Sequence, residues 1–547
     1  MRILTVDEMR ALEAAADAAG HTYRAMIAQA GAGLTRAIRQ QMDVRDKRVV
    51  VLVGPGNNGG DGLVAARLLQ QNGAQMAAYL SRARDAATDP EFAAARDAEV
   101  DLYLAEEDVD HQVLQALVCQ ADVIVDALLG TGARPPLQGT IEGIVEAVGV
   151  CLRELPVRPL TYLRRGTTRR RARPLIVAVD GPSGMDFDSG EIDERALSAN
   201  LTVTFGMPKW GHIAMPAAAT VGELVVADIG IPPAVDVPAG PHLVAPDSVQ
   251  PLLPARPIDA NKGTFGKVLI VAGSANYTGA AVLSARAAVR AGTGLVTCAA
   301  PAQLHHSVVP SVPEATHLLL PHTLGIINGH AVAVVREHAT RYAAMLIGPG
   351  LGTAPETRTF LTQLLLGNRV RSTGFVHTTQ AAAPAELPPL VIDADGLNIL
   401  ARTTEWPEAL PQETILTPHP GEMARLTGLA IEEIQADRLA TAQTWADRWE
   451  HIVVLKGAYT VIAAPGRQPA ILPFANPGLA SAGTGDVLAG IIVALRAQGL
   501  GAFQAAVAGC YVHGLAGEIA TAEHGVAGVA ASDVAAAIGA ALVRLSA

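Results

Sequence analysis

RVVVLVGPGNNGGDGLVAARLL, residues 48–69, decides the fold of the first half of the chain. An apolar β-branched run of the kind buried in a parallel sheet breaks at Gly54-Pro55-Gly56-Asn57-Asn58-Gly59-Gly60-Asp61-Gly62, and an amphipathic helical pattern begins at about Leu63. Strand, polar glycine loop and helix in that order place the loop at the carboxyl edge of a sheet, where α/β proteins bind ligands. Glycines let a backbone approach phosphate, and a helix N-terminus adds a positive partial charge. A glycine turn alone is equally compatible with a steric role, but two asparagines and an aspartate exceed what such a turn requires.

The same alternation runs outward from this stretch. Apolar runs at 48–53, 122–126 and 175–180, then at 267–272, 343–347, 390–393 and 451–455, are separated by Ala-rich amphipathic segments, which predicts an α/β protein built on mostly parallel sheets. Between the two sets, residues 229–257 are so rich in proline that helix is forbidden and interior strand disfavoured. We place the boundary near Val244, giving domains 1–243 and 244–547. That agrees with 547 residues, too many for one compact core. The segment 151–174 holds most of its charge as arginine and reads as a solvated surface loop, with a polyanion or partner contact as the alternative.

Composition excludes several classes of function. Hydrophobic residues are 50% and charged residues 17%, so disorder is not expected. With 41 Lys+Arg against 52 Asp+Glu, the net charge of −11 argues against a general nucleic-acid binder. Mean hydropathy is +0.28, yet every Ala-rich run is broken by polar residues before about 18 apolar positions accumulate, so no membrane span is expected. The N-terminal MRILTVDEMRALEAAADAAG is charged every few residues where a secretory signal needs an apolar core, which points to the cytoplasm. Cys119, Cys151, Cys298 and Cys510 lack CxxC spacing and read as small core residues rather than a disulfide framework or thiolate metal cluster.

Two further strand ends in the first half carry polar loops. DVIVDALLGTGARPPLQG, 122–139, delivers Asp126 and then Gly130-Thr131-Gly132-Ala133-Arg134-Pro135-Pro136, and PLIVAVDGPSGMDFDSG, 174–190, ends in Asp180 followed by Ser183. Asn58, Asp126, Asp180 and Ser183 offer hard oxygen donors that suit a weakly held hard cation, and the absence of His and Cys argues against zinc. In the second half, NPGLASAGTGDVLAGIIVALRAQG, 476–499, sets a small-residue turn before an apolar helix starting near Val487. Its N–H groups would face an anion, and Asp486 at the helix start is either a base favoured by the dipole or merely a capping residue. Upstream, HIVVLKGAYTVIAAPG, 451–466, is strand, turn and strand, with Lys456 either meeting phosphate or facing solvent. LTPHPGEMARL, 416–426, places His419 and Glu422 on a proline-stiffened loop; VIDADGLNIL, 391–400, ends a strand at Asp393 and Asp395; and the pair His305-His306 reads as surface.

GPGNNGGDG, VDALLGTG, VDGPSGMD and TFGMPKWG, in this order over residues 1 to about 235, resemble the YjeF N-terminal, NAD(P)H-hydrate epimerase family. The resemblance implies a Rossmann-like α/β/α sandwich, a bound potassium ion (K+), and interconversion of R- and S-NAD(P)HX, nicotinamide cofactors hydrated at C6. By matched position Asn58, Asp126 and Ser183 would hold K+. Asn57, Asn58, Gly59, Gly60, Asp61, Gly130, Thr131, Gly132, Ala133, Arg134, Pro135, Pro136 and Asp180 would contact the hydrate. C6 is a hemiaminal carbon that inverts by reversible loss of hydroxyl or by ring opening, and Asp180 is either the proton carrier or only a ligand-orienting group. The chain departs from the family pattern at Met26-Ile27-Ala28-Gln29-Ala30-Gly31, at Gly181 where isoleucine is common, and in the arginine-rich insertion.

KGTFGKVLIVAGS, TGAAVLSARAAVRAGTGLV, IGPGLG, DADGLN, TPHPGE, VLKGAYT and NPGLASAGTGDVLAG, across about 246–547, resemble the ribokinase-like, ADP-dependent NAD(P)H-hydrate dehydratase family. The resemblance implies that ADP, with magnesium (Mg2+), is converted to AMP and phosphate while S-NAD(P)HX loses water. By matched position Lys456, Gly457, Ala458, Tyr459, Thr460 and Gly485 would bind the nucleotide, Ala280, Gly350, His419 and Asp486 would face the hydrate, and Asp486 would activate the C6 hydroxyl. A homo-oligomer is implied by both families. The alternative is a ribokinase-like kinase for a small alcohol, joined to a non-catalytic N-terminal binding or assembly module.

Overall fold

The computed structural model describes residues 1–155, 173–367 and 387–546, so most of the arginine-rich segment lies outside the described residues. The chain divides into two compact units, Met1–Gly240 and Pro241–Ala547.

Seven strands form the sheet of the first unit: β1 (Arg48–Val53), β2 (Gln75–Leu80), β3 (Asp101–Leu104), β4 (Val123–Ala127), β5 (Leu175–Val179), β6 (Leu201–Phe205) and β7 (Glu223–Ala227). They run in the order β3-β2-β1-β4-β5-β6-β7 with every pairing parallel. This is the doubly wound arrangement, its order reversing between β1 and β4, and the crevice outside that switch point is where such sheets take ligands. Apolar side chains cover both faces: Val49, Val51 and Val53 enter one buried cluster, and Val50 and Leu52 the other. That two-sided burial explains why the strands read as continuous rather than alternating apolar runs.

Ten strands form the main sheet of the second unit, in the order β11-β10-β9-β14-β15-β16-β17-β18-β19-β8. They are β8 (His242–Leu243), β9 (Lys267–Val271), β10 (Leu295–Pro301), β11 (Thr316–Leu320), β14 (Ala344–Ile347), β15 (Leu390–Ile392), β16 (Ile415–Leu416), β17 (Ile452–Leu455), β18 (Val461–Ala463) and β19 (Ala470–Ile471). A hairpin of β12 (His322–Thr323) and β13 (Ile326–Ile327) lies apart from it. From β11 to β17 every pairing is parallel, β18 and β19 add antiparallel, and β8 closes the edge parallel to β19. The helix Thr484–Ala497 is buried around most of its circumference and fills the core of this unit.

Several sequence expectations are corrected. The first glycine loop is shorter than expected, because the helix spans Asn57–Gln71 and takes Asn57 to Gly62 into its first turns. Glycine is required there by contact: a Cβ on Gly62 would lie 2.6 Å from Ala127 Cβ, and one on Gly59 2.3 Å from Gly54 O. Proline does not exclude helix from the linker, since Pro246 sits in the first turn of a short helix, Pro246–Val249, where its missing N–H costs nothing. Glu422 is helical rather than in a loop, with His419 as N-cap of Pro420–Thr427. His305 is half-buried, its ring 5.0 Å from that of His317. Cys119 is exposed rather than a core residue and lies against Cys151; burial first and this neighbour second push the Cys151 thiol up to about 11.

Candidate functional site

In the first unit, a cavity of about 860 Å³ opens at the carboxyl ends of β1, β4 and β5. Asn57, Asn58, Asp61, Gly130, Thr131, Gly132, Ala133 and Asp180 all line it. Gly59 is instead packed beneath against Gly54 O and Arg84, and Gly60 lines a neighbouring cavity. Arg134 turns away to Asp186 at 3.5 Å, and Pro135 and Pro136 are not in the cavity wall.

Three carboxyls of this cavity sit in contrasting environments. Asp180 holds a left-handed backbone conformation, φ 63°, directly after β5, a strained state of the kind that accumulates at functional residues. Burial opposes its charge, but Lys209 Nζ at 2.7 Å and the Thr204 hydroxyl at 2.7 Å, both on Oδ1, outweigh it and hold the carboxyl below its ordinary range. Behind it His212 is fully buried and neutral, its pKa lowered to about 4 chiefly by desolvation. Lys209 N–H donates to His212 Nδ1, so Nε2 carries the proton and donates to the Asp180 carbonyl at 2.7 Å. Asp61 is the opposite case: it is 7% exposed, Oδ1 has no hydrogen-bond partner, and burial, then Asp180 and Glu13, drive its pKa well upward. Glu13 is also raised, mainly by desolvation.

Asp126 and Ser183 lie under the Leu128–Gly130 turn. Ser183 Oγ donates to Asp126 Oδ1 at 2.6 Å and accepts from Leu129 N–H at 3.0 Å. Asn58 touches the same turn, since a Cβ on Gly130 would lie 3.2 Å from its Oδ1, and its amide nitrogen is buried without a partner. Burial raises the pKa of Asp126 despite the hydrogen bonds it accepts from Ser183 and from Leu128 N–H. The amide oxygen of Asn58, the Asp126 carboxyl and the Ser183 hydroxyl are hard oxygen donors around one turn and suit a weakly bound monovalent cation, whereas the unpartnered Asn58 nitrogen, an N–H donor, is no ligand to it.

The departures noted in the sequence have local causes. Met26, Ile27 and Ala30 form an apolar wall of the cavity. A side chain on Gly181 would meet the Phe187 ring at 2.7 Å and Met185 Cε at 2.9 Å. Sequence reasoning assigned no role to Lys209, Glu13 or Arg10. Lys209 was within the quoted TFGMPKWG, where a lysine just beyond a buried strand is the signal; Glu13 and Arg10 sit on an ordinary amphipathic helix, Val6–Ala18, and offer none.

In the second unit β9, β14, β15, β16 and β17 are consecutive neighbours, and their carboxyl ends carry the predicted residues along one edge. Lys456 follows β17 and donates to Asp393 Oδ1, just beyond β15, at 2.7 Å, with Glu422 Oε2 at 3.6 Å. Burial opposes the lysine's charge, yet these carboxylates raise it. Gly485 comes within reach of this pair: its Cβ would stand 3.6 Å from Lys456 Nζ and 3.8 Å from Asp393 Oδ2. His419 caps its helix, its backbone N–H donating to Glu422 at 2.8 Å. Gly350 and Ala280 meet, a Cβ on the glycine falling 2.7 Å from Ala280 Cβ. Gly457, Ala458, Tyr459 and Thr460 form an accessible turn, closed by Thr460 Oγ1 donating to Gly457 O at 2.9 Å.

Asp486 lies in the first turn of Thr484–Ala497, entered through Gly483 at φ 91°. Its pKa is raised to about 7, by desolvation first and Asp393 second, with Lys456 pulling the other way. Asp393 and, more weakly, Glu422, seen in the sequence but given no role, thus add to burial in raising the pKa of the predicted base. Among the described residues, no group of three or more His, Cys, Asp or Glu could hold a metal ion, and no helix is long and apolar enough to cross a membrane.

A model of the family described as NAD(P)H-hydrate dehydratase matches residues 268–539, and one described as YjeF-related protein N-terminus matches 24–211. The chain is similar to the bifunctional NAD(P)H-hydrate repair enzyme Nnr of Moorella thermoacetica, 36% identical over 504 residues, covering 90% of this chain and 87% of that one. The chain belongs to the family of bifunctional NAD(P)H-hydrate repair enzymes. The repair enzyme of the same name from Thermofilum pendens is 36% identical over 534 residues, 97% of this chain and 94% of that one. Among solved structures, the ADP/ATP-dependent NAD(P)H-hydrate dehydratase of Bacillus subtilis, co-crystallized with ATP/Mg2+, is similar at 28% identity and TM-score 0.46, covering 56% of this chain and 100% of that one. Within this repair-enzyme chain, the two sets of motifs fall in separate units, one on each sheet.

Proposed function

We propose that the second unit dehydrates S-NAD(P)HX through Asp486 and that the first unit supplies the S form by epimerisation. The observation that carries the reading is Asp486 itself: a carboxyl with its pKa at about 7, at a helix N-terminus, beside the Lys456–Asp393 pair. A base with that pKa is half ionised at neutral pH and can take a proton efficiently. Asp486 removes the C6 hydroxyl proton, and the oxygen attacks the β-phosphorus of ADP, displacing AMP. Phosphate then leaves C6 with help from the ring nitrogen lone pair, and a proton lost from C5 completes the ring double bond. The N–H groups at Gly485 and the Lys456 ammonium face the charge that builds on the transferred phosphoryl group. Mg2+ held by the nucleotide's phosphates would supply charge neutralisation.

In the first unit, Asp61 and Asp180 are two carboxyls whose surroundings push their pKa values apart, the arrangement that assigns acid and base roles. Protonated Asp61 donates to the departing C6 hydroxyl as the ring nitrogen forms an iminium. Ionised Asp180 takes the proton from the water that adds back, and return on either face of the planar carbon exchanges R and S. Asn58, Asp126 and Ser183 would hold K+, which supplies the positive charge that Asp126 otherwise lacks. A cytoplasmic location and a homo-oligomeric state belong to this reading through the family resemblance.

Asp486→Asn should bind ADP but lose about 10²- to 10⁴-fold in dehydration of S-NADHX, the usual worth of a general base. Dehydration at the parental rate would refute the base role. A stable phosphorylated product in place of free phosphate and NADH would favour a small-molecule kinase instead.

A further inference from the structure

Beside the epimerase cavity lies a second one of about 680 Å³, which shares Ile27, Pro55, Gly56 and Asn57 of its lining with the first. Its outer wall is the turn after β2, Arg82-Ala83-Arg84-Asp85, with Arg24 approaching from the helix Tyr23–Gln41. In doubly wound dinucleotide sites the residue beyond β2 reads the adenosine ribose: an acid takes the 2′-hydroxyl, and an arginine accommodates a 2′-phosphate.

The three arginines are not equivalent. Arg84 is spent on the fold, its guanidinium donating to Gly54 O at 2.6 Å and Gly56 O at 2.8 Å and pairing with Asp89. Arg82 is exposed and, among the described residues, makes only a long 3.4 Å contact to Pro55 O, which leaves donors to face the cavity. Arg24 is 78% exposed and loosely placed 3.9 Å from Glu91. Three carboxylates share this wall. Asp89 pairs with Arg84 and caps the helix Pro90–Asp97, Asp85 accepts from Ala87 N–H, and Glu91 faces Arg24.

Spacing agrees with the assignment. β2 and β5 stand three strand positions apart, roughly 14 Å at about 4.8 Å per strand, so Arg82 and Asp180 bracket the switch-point crevice that a dinucleotide crosses. Between them the helix Asn57–Gln71 begins at Gly56, which offers no side-chain cap, so its N–H groups remain available to the pyrophosphate.

We infer that Arg82, assisted by Arg24, forms a phosphate-monoester subsite that selects 2′-phosphorylated substrates, so that the epimerase unit prefers NADPHX to NADHX. This rests on the reading of the adjoining cavity as the epimerase site. The test compares epimerisation of the two hydrates by the full chain without ADP, for the parent, Arg82→Ala, Arg82→Glu and Arg82→Lys. The parent should favour NADPHX. Arg82→Ala should lose about 10- to 100-fold in kcat/KM for NADPHX, as expected for one charge-assisted contact, and keep NADHX turnover within about twofold. Arg82→Glu should lose more, and Arg82→Lys should recover part. Equal efficiency for both hydrates, or equal losses for both in Arg82→Ala, overturns the subsite while leaving the epimerase reading intact. If neither hydrate is epimerised, that reading fails, and the subsite is judged by binding. NADP+ must then bind more tightly than NAD+ by an amount that disappears in Arg82→Ala, and its persistence overturns the inference.

Discussion

Asp486 acts through a balance of burial and charged neighbours, and each charged side of that balance can be removed. Desolvation and Asp393 raise its pKa to about 7, while Lys456 lowers it. Dehydration kcat/KM should therefore fall about tenfold per unit below pH 7 and level off above it. Lys456→Met should move the midpoint upward and Asp393→Asn downward; midpoints unmoved in both would contradict the arrangement. Linkage gives a second readout. With a folded pKa of about 7 against an ordinary 3.8, the native state binds the proton more tightly, so stability falls as pH rises from about 4 to about 7. Asp486→Asn should then be more stable than the parent at pH 8 by about 1 kcal/mol or more and show no gain at pH 4, read from denaturant midpoints. Residue types at this site were legible in DADGLN, TPHPGE and the GTGD turn. The Lys456–Asp393 bond, joining residues 63 apart, was not, because no local pattern encodes which strand ends become neighbours.

At the scale of elements, the strands were legible because burial on both faces leaves unbroken apolar runs, as in β1 and β9. Helix starts were not. Asn57 to Gly62 has the composition of a loop, yet it is helical because only glycine allows this helix to lie against β1 and β4. Tertiary contact overrides local propensity there. The helix behind Asp486 shows the same close packing: a Cβ on Gly490 would fall 2.4 Å from Ser284 O and 2.8 Å from Ala287 Cβ. Gly490→Ala should destabilise the second unit by about 1 to 2 kcal/mol, overpacking outweighing the roughly 1 kcal/mol gained in helix propensity. It should also slow dehydration, since Asp486 lies one turn upstream, and leave epimerisation untouched. An unchanged denaturant midpoint would show that the helices separate at no cost.

At the scale of the whole molecule, two sheets with separate cores carry two sites of complementary chemistry. The order of motifs along the sequence revealed both sheets, but not the strand order that brings Arg82 and Asp180 to adjoining cavities at one sheet edge. Joining the units in one chain makes sense if the dehydratase consumes a single epimer and the epimerase replenishes it. The most direct measurement is recovery of reduced-nicotinamide absorbance from mixed R and S hydrates with excess ADP, corrected for spontaneous epimerisation. The parent should convert the whole mixture, and Asp61→Asn or Asp180→Asn should stop at the S fraction. A parent that itself stops there, or variants that run to completion at the parental rate, would contradict the account.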